Sequence, residues 1–404
     1  MQKTFWLKFS VFNFLIVAVL GVIMRYKIMF SLPFVDQKHL QEAHSHFAFY
    51  GWITNALYVL IVIYLGKINA SINLKKYQGL IIVNLVASFA MLFSFIYGGY
   101  FWGSIAASTA ALLCSFIFFY FFLRDSSKIS DSSKIWFLAG LFFAVISSVG
   151  VFSLGYMKIS GLVSRDYFLA AEYYYLHFQY NGFFIFSCIG LLLFSLKEIN
   201  APIDERQNKL LFWLSFFGCL VGYGLSVLWM KIPVAIFTVI VIAAIAQTVG
   251  AFMLLKFVRK NWINLVLKWS PMQRFVLLFA ALAFAVKIIL QLGSTIPVVN
   301  QFAFGFRNVV IAYLHLVLLM CIATFIINQI LATNFFIISK SLLLGLKLLL
   351  LGIFLNEFTL GLMGVFSIKY ISIPFANLFL LVFSVLMMVS IFILFINMKE
   401  KKLL

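Results

Sequence analysis

The sequence predicts an all-α polytopic membrane protein with about twelve transmembrane helices in three pseudo-symmetric four-helix units. Three observations predict it. Of the 404 residues, 65% are hydrophobic and only 10% are charged, whereas a soluble domain carries about 25% charge. The apolar residues form about twelve runs, each close to the roughly 20 residues that a helix needs to cross a bilayer. One histidine-centred pattern then returns every fourth run. The 50 phenylalanines, within an aromatic content of 19%, fit packed helices with much aromatic surface turned to lipid.

The runs begin near Phe9, His44, Gly79, Phe101, Ile135, Tyr173, Leu210, Pro233, Phe275, Asn308, Ser341 and Pro374. Together they make one integral membrane domain over 1–404, with approximate repeat units 1–100, 101–230 and 231–370 and a final helix 374–397. Pro33, Pro202, Pro233, Pro271, Pro297 and Pro374 all fall in connections or first turns, where a missing N–H costs nothing. Continuous spans are therefore expected. The first run is followed by "MRYK" and has no small-residue cleavage site, so it reads as a retained helix and not a signal peptide.

The net charge of +19 does not point to nucleic acid. Its charges are scattered between the apolar runs and form no single basic patch. Lys and Arg instead concentrate in alternate connections, and the positive-inside bias places both termini in the cytoplasm of a cell (inner) membrane. The bilayer is the expected partner. Lys287 and Lys347 lie inside spans and read as snorkelling or paired. Cys114, Cys188, Cys219 and Cys321 fall inside apolar runs without metal-type spacing and read as small buried hydrophobes.

The histidines supply the candidate site. His46, His177 and His315 stand near the starts of the second, sixth and tenth runs. Gly51 and Gly182 follow the first two at the same distance, with Met320 at the third copy. Phe47 and Phe178 come directly after the first two. Two residues before the histidines stand His44, Tyr175 and Tyr313. This is a diverged threefold repeat. Four helices return the chain to the same side, so all three histidine helices enter from outside. Each histidine is expected within about two turns of its outer end, at a shared depth in the outer half of the bilayer.

Ionisable side chains inside a membrane mark sites, and neutral imidazole is a common ligand of metals and haem iron. Glu42 and Glu172 flank the histidines as possible supporting partners. In "AHSH", residues i and i+2 are about 200° apart on a helix. His44 and His46 should therefore point in different directions and serve different groups. Gly51 would let a flat macrocycle approach the backbone. His39, in the outer connection, reads as solvated, and Tyr173 to Tyr175 as an interfacial aromatic belt.

"AHSHFAFYG" resembles the His-x-His helix of the haem-copper oxidase superfamily, especially its nitric oxide reductase branch. That family has a twelve-helix catalytic subunit in three arcs of four. The resemblance implies one or two haems, b type, held by His44, His46, His177 and His315. His44 would face a high-spin haem, and His46 a low-spin haem with His177 on its other side. His315 would stand where the family has a ligand of a second, non-haem metal. It also implies electron transfer or nitric oxide and oxygen handling, fed by an electron-donor subunit, a quinol or a cytochrome. Two features depart from the family. The pair sits on the second helix and not the tenth, and the seventh run, "LLFWLSFFGCLVGYG", has no histidine. A three-histidine copper site cannot be built from this chain, which leaves copper or non-haem iron without its full ligand set. A polytopic secondary transporter and a cofactor-free assembly subunit are the competing classes.

Overall fold

The computed structural model describes residues 2–161 and 164–401, the side chains of 302–305 excepted. Among these residues there is no strand, only an isolated bridge between Phe336 and Glu400. Twelve helices are long and apolar enough to cross a membrane. They are α1 (Lys3–Met29), α2 (Gln37–Ile68), α3 (Lys75–Gly98), α4 (Trp102–Asp125), α5 (Lys134–Ser160) and α6 (Arg165–Glu198). The remaining six are α7 (Glu205–Val227), α8 (Val234–Lys260), α9 (Pro271–Gly293), α10 (Arg307–Ala332), α11 (Lys340–Ile368) and α12 (Ala376–Asn397). The chain is thus an all-α, multi-pass membrane protein, and every apolar run of the sequence has its helix.

Nine of the twelve helices begin earlier than their apolar runs, because polar residues supply first turns. Asp36 caps α2, accepting from the backbone N–H groups of Lys38 at 2.8 Å and His39 at 2.9 Å. The His39 N–H is the main influence holding its exposed carboxylate below the usual range. Ser270 starts α9 with a reciprocal capping box to Gln273, followed by Pro271 at the first helical position. None of the six prolines breaks a span.

The spans are nevertheless not uniform. Immediately after His46, His177 and His315 the α-helix widens into a π-helix, over Phe47–Thr54, Phe178–Phe184 and Leu316–Ala323. A π turn closes i→i+5 and is rare. Its recurrence directly after all three register histidines is a structural counterpart of the sequence repeat. The α-helical leads before it have 10, 13 and 9 residues. His177 therefore lies more than three turns from the start of its helix, deeper along it than the two turns expected.

The helices group into two compact units. One comprises Met1–Phe118 with Ala323–Leu404, the other Phe119–Ile322. In the first, α2 is the central helix, with 94% of its most apolar stretch buried. α1 packs beside it, stacking Phe14 on Trp52 at 4.7 Å, and meets α12 through Phe12 and Phe395 at 5.5 Å. Thr4 donates to Glu400 at 2.8 Å, tying the start of α1 to the segment after α12. In the second unit α6 is central, 89% buried by the same measure. Phe143 of α5 stacks on Phe178 at 5.6 Å, and Trp136 Nε1 donates to Asn208 of α7 at 2.9 Å. A helix apolar on every side needs cover on every side, and the two most enclosed helices carry His44, His46 and His177, while His315 lies on the half-buried α10.

Candidate functional site

In the first unit, the π segment of α2 leaves backbone carbonyls without ordinary helical partners. Two buried asparagines from the flanking helices meet them. Asn13 of α1 donates to the Gly51 carbonyl at 2.6 Å and Asn84 of α3 to the Tyr50 carbonyl at 3.0 Å. Asn55 Nδ2 donates in turn to Ser10 Oγ at 2.9 Å. A buried carbonyl left unmet costs about 1–3 kcal/mol, so these side chains hold the widened turn in place.

His46 precedes that turn. Its Nδ1–H donates to the Glu42 carbonyl at 2.9 Å, which fixes the neutral tautomer and leaves the lone pair on Nε2. The ring stacks on Phe95 with centroids 4.2 Å apart, and Nε2 faces the Tyr100 hydroxyl at 3.4 Å. His44 turns to α1, where a Cβ on Gly21 would lie 3.6 Å from its Cε1. The pair therefore diverges to opposite neighbours, as the i, i+2 spacing requires. His39 is not in a solvated connection. It belongs to the first turns of α2 and packs against Gly99, where an added Cβ would come within 2.6 Å of it.

Other expected roles are reassigned. Glu42 engages His46 through its backbone, and its carboxylate lies by Gly99. Glu172 is exposed. The space over Gly51 is filled by the ring of Phe47, which an added Cβ would meet at 2.7 Å, and that over Gly182 by Phe143 at 2.5 Å. These glycines serve packing of aromatic rings and not the approach of a macrocycle.

In the second unit His177 is almost fully buried, 1% exposed. Both ring nitrogens are engaged. Nε2–H donates to the Cys219 carbonyl of α7 at 2.8 Å, and Nδ1 accepts from Asn181 Nδ2 at 3.1 Å. Ligation of a metal would require one of these bonds to be given up. Tyr175 lies against α5, its backbone crossing Gly150 so closely that a Cβ there would come within 2.9 Å of its N. Tyr173 packs on Trp229 at 5.3 Å and Tyr174 on Tyr223 at 4.9 Å, so this run is also internal packing.

His315 repeats the arrangement of His46. Its Nδ1–H donates to the carbonyl four residues back, Ile311, again at 2.9 Å. Tyr313 lies edge-on to Tyr180 at 6.4 Å. Lys347 is exposed on α11, in keeping with a snorkelling side chain. Lys287 is neither snorkelling nor paired: it is 0% exposed, and no hydrogen bond is made by its Nζ. None of the four cysteines is in a disulfide; Cys114, Cys219 and Cys321 are buried and Cys188 is half-buried.

Sequence reasoning missed Asn181, Asn13, Asn84 and Tyr100. Asn181 was within reach, because i and i+4 share a helix face. Asn13 and Asn84 come from neighbouring helices and Tyr100 from the connection after α3, and none had a local signal. Among the described residues no three His, Cys, Asp or Glu side chains gather as a multi-ligand metal centre needs. The histidines present themselves as single imidazoles. In comparisons with known proteins, no family model and no curated protein matches the chain.

Proposed function

We propose that the chain is a haem-binding membrane redox protein, with His46 as an axial ligand to haem iron. The observation that carries this reading is the setting of His46. A ligating imidazole characteristically gives its other N–H to a carbonyl or carboxylate, which fixes tautomer and ring direction. His46 does this with the Glu42 carbonyl, and its ring is held flat on Phe95. His315 has the same anchor at Ile311 and is the candidate ligand of its own unit. His44 points elsewhere on the same helix and suits a second group. His177, whose two nitrogens are held at 2.8 Å and 3.1 Å where His46 Nε2 has only a long contact at 3.4 Å, serves in this reading as a brace of its helix.

A b-type haem would supply a one-electron couple and, with a single imidazole on the iron, an open side for nitric oxide or oxygen. The protein's own contribution would be to orient the His46 ring and cover it with Phe95, with the Tyr100 hydroxyl giving up its long contact on Nε2 to the iron. The reading includes an inner-membrane location with cytoplasmic termini, and a quinol, cytochrome or partner subunit as electron donor.

The test is a reduced-minus-oxidised spectrum of the detergent-extracted full chain, expressed with ample haem, with and without carbon monoxide. A Soret band lost in His46→Ala and kept in His177→Ala is the expected result. Colourless wild-type protein would overturn the reading and favour the transporter class, for which the buried Lys287 ammonium is the residue to examine first.

A further inference from the structure

α8 ends at Lys260 and α9 begins at Pro271, so the chain between them lies where two spans leave the membrane. It is not a plain loop, because Trp262–Lys268 forms a helix of 7 residues. Leu265 points inward at 0% exposed, with Trp269 after it at 7%. The Trp269 N–H donates to the Leu265 carbonyl at 2.8 Å. Asn264 Nδ2 donates to the Asn200 carbonyl of the α6–α7 connection at 3.5 Å. These contacts fix which way the short helix faces. At about 100° per residue from Trp262, Val266, Ile263 and Leu267 fall together within about 40° to 140°, away from Leu265 at about 300°. They form one apolar face turned outward, with Ile263 63% exposed, Leu267 72% and Val266 37%.

The charge around this face has a single sign. Lys256, Arg259 and Lys260 end α8 and Lys268 ends the short helix, and all four are exposed. Lys256 and Lys260 share a helix face at i, i+4. No acidic residue occurs between Glu205 and Glu357. Among the described residues none of the four is in an ion pair. The α4–α5 and α6–α7 connections lie on the same membrane face, since two spans separate each from the next, and they behave differently. Lys197 pairs with Asp131 of the α4–α5 connection at 2.6 Å, and Lys209 with Glu205 at the start of α7 at 2.7 Å. Those segments neutralise cations from within the chain, whereas the α8–α9 connection leaves its own for a partner outside it. A helix C-terminus attracts basic residues through its partial negative charge. That accounts for cations at the two helix ends, but not for the apolar face presented between them.

We propose that residues 256–268 form a docking site for anionic phospholipids of the bilayer. Ile263, Val266 and Leu267 enter the acyl boundary, and the four cations meet the negative headgroups above it. Apolar surface and basic charge together hold a segment at an acidic membrane surface. A zwitterionic lipid would cover the apolar face but bring no net charge to the cations. The inference uses residues of the second unit alone and stands whether or not His46 binds haem.

The experiment titrates the detergent-extracted full chain with phosphatidylglycerol or with phosphatidylcholine of the same acyl chains, and reads the apparent Kd of the first bound lipid by native mass spectrometry. The wild type should bind phosphatidylglycerol the more tightly. Lys256→Gln/Arg259→Gln/Lys260→Gln/Lys268→Gln should weaken phosphatidylglycerol by at least about fivefold, the worth of one basic residue at a membrane surface, and leave phosphatidylcholine unchanged. Lys67→Gln/Lys75→Gln/Lys76→Gln, which removes cations from the α2–α3 connection, should leave both unchanged. Ile263→Ser/Leu267→Ser should weaken both lipids alike. Equal binding of the two lipids by the wild type, or a fourfold variant weakened no more than the α2–α3 control, would overturn the proposal. Inorganic phosphate should not displace the lipid, because it has nothing to lay on the apolar face. Full displacement would make this a plain anion site and equally overturn it. All the changes are at exposed side chains or in connections, and a thermal melt checks that each variant folds. Lys260→Gln/Lys268→Gln carries the same test, with the same loss expected, if the fourfold variant does not.

Discussion

His46 and His177 occupy the same place in two copies of one motif, yet they are held in opposite ways. Each is the last α-helical residue before a π turn, on the most enclosed helix of its unit. His46 is anchored from its own helix, by the carbonyl four residues earlier, and turns Nε2 toward a neighbouring hydroxyl. His177 is anchored across helices, to a carbonyl of α7, and its other nitrogen is taken by Asn181. The difference follows from what surrounds them. α3 offers His46 a ring to lie on. α7 offers His177 a bare carbonyl, with the small residue Gly222 leaving room beside the ring. A repeated sequence thus sets the backbone geometry, while the neighbouring helix decides whether the imidazole is held from its own helix or from the next one.

The comparison breaks most sharply on colour and stability. His46→Ala should abolish haem absorption with little loss of thermal stability. His177→Ala should keep the absorption and lower stability by about 3 kcal/mol, because it strips partners from the buried Asn181 amide and Cys219 carbonyl. Absorption spectra and melting of the two purified variants check this, and swapped outcomes would exchange the roles of the two histidines.

Next come the π turns. Asn84→Leu removes the donor to the Tyr50 carbonyl and should cost about 1–3 kcal/mol, measured by thermal melting of the extracted chain. An unaffected melt would mean that the turn satisfies itself. The glycines separate the two copies further. A Cβ at Gly182 meets the Cβ of Phe143, close to the α5 backbone, whereas one at Gly51 meets the ring of Phe47 on its own helix. A ring can swing and a Cβ cannot. Gly182→Ala should therefore be the more destabilising, by about 1–3 kcal/mol, with Gly51→Ala milder. Equal losses would show that Phe47 is as tightly held as the α5 backbone.

The smallest effect belongs to Asp36 at the start of α2. Its carboxylate is held below the usual range chiefly by the His39 N–H. A group lowered in the folded state stabilises above its unfolded value, about 3.9, and that contribution is lost as the pH falls through the folded value. Asp36→Ala should flatten this acid loss slightly, seen as a smaller drop in melting temperature between pH 5 and pH 3. An unchanged slope would remove the cap from the account of how the His46 lead is held.

All twelve spans were legible, because twenty apolar residues in a row have few alternatives to a membrane helix. So were the divergence of His44 and His46, set by helix geometry, and the placement of the prolines in connections and first turns. Helix starts were not, since "DQKHLQEAHSH" is polar and hydropathy alone ends there, while Asp36 and its N–H donors carry the helix on. Glu172 was misplaced because sequence proximity to His177 says nothing of which way a side chain faces. Gly51 was misjudged because the π turn, invisible to a 3.6-residue pattern, returns Phe47 over it.

By itself, the sequence determined an all-helical membrane chain and a histidine motif repeated every four helices. Both rest on local physics: apolar length, and a periodicity read along one strand of residues. Tertiary structure alone decided where the π turns are braced, which histidine nitrogens are engaged and that Lys287 is sealed in without a partner. The first two depend on groups donated by other helices, such as Asn13, Asn84 and Cys219. No reading along one helix contains the identity of the side chain that another helix will place against it.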